Sequence, residues 1–264
     1  MNLHETLRDA FTVKYIMTPR QHLEVGSVKP VLRGEPCYDV IPRTEDDCFV
    51  GLWVLREGEY LPEPITEEWI VAHSTPIPEI IRIFSGPHAK PAYLVVNGAR
   101  VDGIVSPADL NKVACRTYLF TLVGELEYCL AQLLREYFQS SEERMLEFLS
   151  PDRQTEVRKL RMERQANDMD TGYIEVLSLS DIVNIICKNE DLRFQLGFSS
   201  RKQSENCLNG LVHFRNVIAH PVREMSSAYK VRDILEKVEL IERVLEQLAR
   251  TPAAGQEESV QMAS

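Results

Sequence analysis

The chain has 264 residues, of which 44% are hydrophobic and 27% are charged, and its formal net charge is −10 at pH 7. This composition is typical of a folded globular protein and excludes extensive disorder. The acidic balance argues against a protein coated in nucleic acid. It leaves room for a local site, because the acidic excess lies mainly in residues 1–150, whereas residues 151–223 are nearly balanced.

The six cysteines do not form a metal-binding pattern. None stands in a C-x-x-C pair and no histidine follows at ligand spacing, so we expect no metal site. In a chain of this length they are typical of reduced thiols in a cytoplasmic core. The first residues contain no continuous apolar run, and the longest apolar segment is interrupted by Glu125 and Glu127. We therefore predict a cytoplasmic protein without a signal peptide or a membrane span.

The first 110 residues predict an α/β half. Short runs rich in Val and Ile are bounded by Pro, Gly, Asn and Asp, which is the pattern of strands and turns. The strand candidates are VKYIM, YDVIP, FVGLWVL, WIVAH, AYLVV and RVDGIV. The segment PIPEIIRIFSG predicts a short helix between the fourth and fifth runs. Asn97-Gly98 predicts the hairpin turn between the last two strands.

From Pro107 onward, apolar residues recur at three- and four-residue steps, which predicts long helices. We expect one continuous helix from a cap at Ser106 to Phe138. Further helices are predicted at about 142–165 with an interruption at Ser150-Pro151, 179–188, 200–219 and 227–250. The predicted fold class is α+β, with an α/β domain over residues 1–112, an all-α domain over 113–250 and a disordered tail at 251–264.

Ser106 and Asp109 stand where the last predicted strand passes into a helix. The serine hydroxyl, the free backbone N–H groups and the positive end of the helix dipole suit an anion. A carboxylate one turn later can accept hydrogen bonds from a ribose diol. The same two residues also fit a capping arrangement that needs no ligand. Both interpretations are open from the sequence.

GIVSPADL resembles the G-h-h-[ST]-x-x-D element of cystathionine-β-synthase (CBS) domains, and VKYIMTP resembles the usual opening of a CBS pair. The resemblance covers roughly residues 10–115. It implies an adenine nucleotide as a regulatory ligand, held by Gly103, Ser106 and Asp109, with no other cofactor required. In the first repeat, Val54 and Glu57 replace the Ser/Thr and Asp of the element. The resemblance therefore implies a single working site.

The segment NGLVHFRNVIAHPVRE places a guanidinium on an apolar helix face. On a helical wheel Arg215 falls in the middle of a stripe formed by Leu208, Leu211, Val212, Ile218 and Ala219. A buried guanidinium needs an anion, which is either a structural carboxylate or a phosphate from outside.

His220 stands directly before Pro221, and a proline pushes the preceding residue out of the helical conformation. We therefore expect the histidine to leave the helix and to converge with Arg215 on one cleft. Histidine moves protons near neutral pH, and arginine stabilises phosphoryl charge. The two side chains together suit the cleavage of a phosphodiester.

FRNVIAH resembles the motif of the HEPN superfamily (higher eukaryotes and prokaryotes nucleotide-binding), with matches at Arg215, Asn216 and His220. The resemblance covers roughly residues 113–250. It implies a helical bundle, a homodimer with the two motifs facing across a cleft, and metal-independent cleavage of RNA.

Taken together, the two resemblances predict an endoribonuclease that is regulated by an adenosine-containing ligand, an arrangement that suits stress response or antiviral defence. The alternatives are a non-catalytic nucleotide sensor that only dimerises, in which a structural carboxylate holds Arg215, and a partner subunit of another enzyme.

Overall fold

The structure is a computed structural model that describes residue 6 and residues 9–23, 25–30, 38–46, 48–167, 171–220 and 224–250. Among these residues the strands precede residue 106 and most helical residues follow it, which confirms the α+β class. The chain divides into two compact units. The N-terminal unit comprises Met1–Leu119 and His220–Glu236, and the C-terminal unit comprises Phe120–Ala219 and Lys237–Ser264. The N-terminal unit thus also contains His220–Glu236, which comes after the predicted domain boundary at residue 112.

Two β-sheets form the frame of the N-terminal unit. The four-stranded sheet has the order β1-β7-β6-β5, and the three-stranded sheet has the order β2-β3-β4. The strands are β1 (Thr18–Pro19), β2 (Val40–Glu45), β3 (Cys48–Arg56), β4 (Glu59–Glu63), β5 (Ile70–Ala72), β6 (Tyr93–Asn97) and β7 (Arg100–Val105). β5 and β6 are parallel, and helix α1 (Ile77–Ser85) connects them as predicted. Buried residues of both sheets share one apolar cluster, to which Leu52, Val54 and Leu94 belong.

Two tight hairpin turns need residues with a positive φ, a conformation that glycine adopts readily. Asn97 pairs with Arg100, so the loop between β6 and β7 is Gly98-Ala99, one residue later than the Asn-Gly pattern predicts. Gly98 has a φ of 60°, as the first position of a type II′ turn requires. The β3–β4 loop is Glu57-Gly58, with φ of 49° and 83°. Glu57 therefore lies in a β-turn between two strands and not at a strand-to-helix junction such as that of Ser106.

The strand predicted for VKYIM is wrong. Val13–Tyr15 is a 3-10 helix instead. Val13, which begins this helix, and Ile16, which directly follows it, are three positions apart, and both have no exposed surface. That spacing suits a tight helical turn better than a strand, in which alternate residues share a face.

The single helix predicted from Ser106 to Phe138 is also wrong. Pro107–Asn111 is a 3-10 helix, and α2 begins only at Val113 and ends at Tyr137. Lys112 separates them with an extended backbone, at φ −65° and ψ 151°. Its Nζ donates to the carbonyl oxygens of Ile16 at 2.6 Å and Met17 at 3.0 Å. The 3-10 helix Pro107–Asn111 and α2 are therefore two separate helices and not one continuous rigid helix.

The remaining helices follow the predicted order. After α2 they are a 3-10 helix (Glu142–Phe148), α3 (Pro151–Gln165), a 3-10 helix (Ile174–Val176), α4 (Leu179–Lys188), α5 (Glu190–Gln195), α6 (Arg201–Ala219), α7 (Met225–Ala228) and α8 (Val231–Arg250). Two further 3-10 helices, Arg20–His22 and Glu67–Trp69, lie in the N-terminal unit. The interruption at Ser150-Pro151 is confirmed, whereas α5 and the break before α8 were not predicted. Within the described ranges, no helix combines the length and the apolar character that crossing a membrane requires. The tail predicted at 251–264 lies outside the described residues.

Candidate functional site

Helix α6 carries Arg215 and Asn216 in the C-terminal unit. Its buried residues are Ser204, Leu208, Leu211, Phe214, Val217 and Ile218. Phe214 and Val217 move the centre of the buried stripe away from Arg215, which is half-buried near the edge. The prediction placed the centre of the buried stripe too close to Arg215, because it did not include Phe214 and Val217. Val212 and Ala219 are only half-buried.

The guanidinium of Arg215 lies beside an aromatic ring. Its Cζ is 5.9 Å from the centre of the Phe120 ring, and Phe120 is itself 44% exposed. Among the described residues no carboxylate oxygen lies within 4.0 Å of this guanidinium. The contact with the ring is a weak cation–π interaction, which leaves the planar fork of N–H donors available for an anion.

His220 is the first residue after α6, and its side chain is exposed. It belongs to the N-terminal unit, whereas Arg215 and the exposed Asn216 belong to the C-terminal unit. The carbonyl oxygen of His220 accepts a 3.2 Å hydrogen bond from Nη1 of Arg116. Because α6 ends at Ala219, His220 lies outside the helix, as predicted. Pro221, to which the prediction attributed this end, lies outside the described residues.

Arg116 is a residue that sequence reasoning missed. It is only 6% exposed, and its Nε donates a 3.1 Å hydrogen bond to the carbonyl oxygen of Asn111. The only signal in the sequence is that Arg116 stands among apolar helix residues such as Cys115 and Leu119, both of which are fully buried. A buried guanidinium is costly without hydrogen-bond partners, and here backbone carbonyls are among them.

Ser106 and Asp109 are joined in a capping box at the start of the 3-10 helix. The backbone N–H and the hydroxyl of Ser106 donate to Oδ2 of Asp109 at 2.6 and 3.0 Å. Oδ1 of Asp109 lies 2.7 Å from Nζ of Lys112. With 7% of its surface exposed, the carboxylate is largely satisfied within the protein. The capping arrangement is thus present, and a role in nucleotide binding stays a prediction.

Gly103, the third predicted nucleotide residue, lies in β7 opposite Pro19 of β1. A Cβ atom at this position would overlap the carbonyl oxygen of Thr18 and would lie 3.1 Å from Sδ of Met17. The close approach of β1 therefore explains the glycine without a ligand. Its predicted contact with a nucleotide is a separate expectation.

The basic residues of α3 are largely held by partners within the C-terminal unit. Arg153 forms a bidentate pair with Asp181, with N···O distances of 2.9 and 2.7 Å. Burial alone would raise the pKa of Asp181, but hydrogen bonds from Arg153 and Ser178 outweigh it and lower that pKa below its usual value. Arg158 pairs with Glu143 at 3.3 Å. The described part of the chain holds no group of three His, Cys, Asp or Glu side chains placed for a metal ion.

Comparison of the chain with models of protein families, with curated proteins and with solved structures found no match. The resemblances to CBS and HEPN domains therefore rest on the sequence motifs alone.

Proposed function

We propose that the protein is a metal-independent endoribonuclease of the HEPN type, with Arg215, Asn216 and His220 as its catalytic residues. The observation that carries the proposal is the state of Arg215, whose half-buried guanidinium has no carboxylate within 4.0 Å among the described residues. A guanidinium held for structure alone would be expected to donate to an acidic partner or, as Arg116 does, to backbone carbonyls. This geometry favours an external anion over the alternative in which a structural carboxylate holds the arginine.

The proposed reaction needs only groups that the RNA and these side chains supply. The 2′-hydroxyl of the RNA attacks the adjacent phosphorus while the neutral imidazole of His220 accepts its proton. The bond from phosphorus to the 5′-oxygen breaks, and that oxygen takes a proton from the imidazolium of His220 to leave as a 5′-hydroxyl, which returns the histidine to its neutral form. The other product end is a 2′,3′-cyclic phosphate. Arg215 donates to the phosphoryl oxygens as negative charge builds, and the amide of Asn216 orients the same group.

Two further features belong to the proposal. An adenine nucleotide at Gly103, Ser106 and Asp109 would regulate cleavage. A second copy of the chain would cover an exposed face of α2 on which Phe120 and Tyr128 are 44% and 64% exposed. Gly124 lies between them in the helix, with open space where a Cβ would stand. Such a face suits a close approach of a second helix.

The test is incubation of the purified protein with end-labelled single-stranded RNA in excess EDTA, with and without AMP, ADP and ATP. We expect cleavage in EDTA, with a 2′,3′-cyclic phosphate on one product and a 5′-hydroxyl on the other. DNA of the same sequence should remain intact, because it lacks the 2′-hydroxyl nucleophile. If no RNA is cleaved under any of these conditions by dimeric, folded protein, the enzymatic proposal is wrong and the non-catalytic sensor becomes the better account.

A further inference from the structure

We propose that Arg116 is a positioning residue that ties His220 to the turn Ser106–Asn111, so that a change at this turn is transmitted to the histidine. The inference rests on the proposed function for its biological meaning, because it assigns a regulatory route to the proposed catalytic site. The physical link itself is independent of any activity. All its members lie in the N-terminal unit.

The first half of the link is the Arg116 side chain. One nitrogen, Nε, donates to the carbonyl oxygen of Asn111 at 3.1 Å, and another, Nη1, donates to the carbonyl oxygen of His220 at 3.2 Å. The two acceptors are 109 positions apart in the chain, yet one planar group spans them. Because Arg116 is only 6% exposed, water cannot readily replace either carbonyl. The backbone of His220 is therefore held relative to the end of the turn.

The second half of the link is the Asn111 side chain, which binds the segment after His220. Its Oδ1 accepts from the backbone N–H of Met225 at 2.6 Å and of Ser226 at 3.3 Å. Its Nδ2 donates to the hydroxyl of Ser226 at 3.2 Å. The backbone on both sides of residues 221–223 is thus tied to Asn111, once directly and once through Arg116.

The turn that carries Asn111 is the one that Ser106 and Asp109 define. The backbone N–H of Lys112 donates to the carbonyl oxygen of Asp109 at 3.0 Å, so Leu110 and Asn111 lie in the middle of a turn that Asp109 and Lys112 close. A ligand that draws Ser106 or Asp109 out of the capping box changes this turn. Such a ligand controls His220 only if it binds one arrangement of the turn better than another.

The test replaces the unidentified ligand by a substitution in the turn. Ser106→Ala removes the hydroxyl that donates to Asp109 and leaves Asn111 and Arg116 unchanged. The readout is the ring resonance of His220 in the ¹H–¹³C spectrum of the full chain, assigned with a His220→Gln variant. The second substitution, Arg116→Met, keeps the apolar stem and removes the donors. We expect Ser106→Ala to move the His220 resonance in the wild-type background and to leave it unmoved in the Arg116→Met background.

The matched control is Arg135→Met, which removes an arginine from the same helix. Arg135 is bound to Gln132 and Glu175 and does not contact the turn. In that background Ser106→Ala should move the His220 resonance as it does in the wild type. Should Arg116→Met fail to fold, Arg116→Lys keeps the cation but loses the planar group that spans the two carbonyl oxygens, and it carries the same expectation. An equal response in the wild-type and Arg116→Met backgrounds, or no response in the wild type, overturns the proposal.

Kinetics separate this inference from the proposed function. If RNA is cleaved, Arg116→Met should lower kcat by about 10- to 100-fold, because a displaced catalytic group loses its alignment. KM should change by less than about twofold, since Arg116 is placed outside the RNA contact. An unchanged kcat would contradict a positioning role. If the wild type cleaves no RNA, the enzymatic proposal fails, and the link is still decided by the His220 resonance.

Discussion

Arg215 and Phe120 lie side by side, with the guanidinium carbon 5.9 Å from the centre of the ring. The ring lies beside the guanidinium and does not occupy its N–H donors. This matters for function, because an arginine already paired with a carboxylate would have to break that pair before it could bind a phosphate. Among the described residues, Arg215 has no such pair to break.

The first prediction concerns the shape of the cation. Arg215→Lys should reduce RNA cleavage by about 10²- to 10³-fold, because an ammonium cannot donate two parallel hydrogen bonds to phosphoryl oxygens. The measurement is the single-turnover rate at saturating RNA. Arg201→Lys is the control, since Arg201 lies at the start of the same helix and pairs with Glu205 at 2.7 Å. Similar rates for Arg215→Lys and the wild type would rule out a bidentate role.

The second prediction concerns the proton-transfer group. His220→Ala should lower the cleavage rate by about 10²- to 10⁴-fold, the usual contribution of general acid–base catalysis. The protein should stay folded, because the imidazole is exposed and only the backbone carbonyl of His220 is used by Arg116. His88→Ala replaces another exposed histidine of the same unit and should cleave at the wild-type rate. Circular dichroism and the thermal midpoint check the fold of both variants.

The sequence predicts much of the fold because periodicity reports burial locally. Five of the six strand candidates, α1 and the longer helices after residue 112 follow from short-range patterns. The strand predicted for VKYIM was wrong because apolar content alone does not distinguish a strand from a 3-10 helix. The break at Lys112 was invisible because it depends on carbonyls of Ile16 and Met17, about 95 residues earlier in the chain.

The candidate site was only partly predictable for the same reason. A motif names Arg215, Asn216 and His220, but it cannot show whether a carboxylate from elsewhere in the chain pairs with the arginine. The role of Arg116 depends on the carbonyl of His220, 104 residues later. Side-chain contacts of this kind leave no periodic trace in a single sequence.

The third prediction separates two glycines by what surrounds them. Gly103→Ala should destabilise the protein by about 1–3 kcal/mol, because the added methyl group overlaps the carbonyl oxygen of Thr18 and forces β1 to move. Gly124→Ala is the matched substitution in a helix, where nothing lies within 4 Å of the new methyl group. In a single copy of the chain it should stabilise α2 by about 0.5–1 kcal/mol, so both variants are compared at a protein concentration at which the chain is monomeric. Urea denaturation measures both, and the opposite order would contradict the packing described for β1.

The fourth prediction concerns pH and the pair Arg153–Asp181. The folded-state pKa of Asp181 is lowered, so its contribution to stability is present above the unfolded-state pKa of about 3.9. That contribution is lost as the pH falls from about 4 through the lower folded-state pKa. Asp181→Asn should therefore cost about 1–3 kcal/mol at neutral pH and should flatten the loss of stability at acidic pH.

The control for this pair uses the second partner of Arg153. Glu156 lies 2.7 Å from Nη1 of Arg153, but its side chain is 60% exposed. Glu156→Gln should therefore change the free energy of unfolding little at any pH. Urea midpoints between pH 2.5 and 7 for the wild type and both variants decide the matter. A steeper acid dependence in Asp181→Asn than in the wild type would be the wrong sign.

The last prediction tests the single nucleotide site. Asp109→Ala should weaken the binding of adenine nucleotides by about 1.5–3 kcal/mol, if its carboxylate accepts charge-assisted bonds from the ribose. Because Asp109 also binds Ser106 and Lys112, this variant should melt earlier as well, and binding must be measured well below its thermal midpoint. Glu57→Ala is the control, since Glu57 lies in the turn between β3 and β4 and does not begin a helix. Calorimetry should show a loss of affinity in Asp109→Ala alone. Equal losses in both variants would contradict the single site, and equal, unweakened binding would leave Asp109 as a capping residue only.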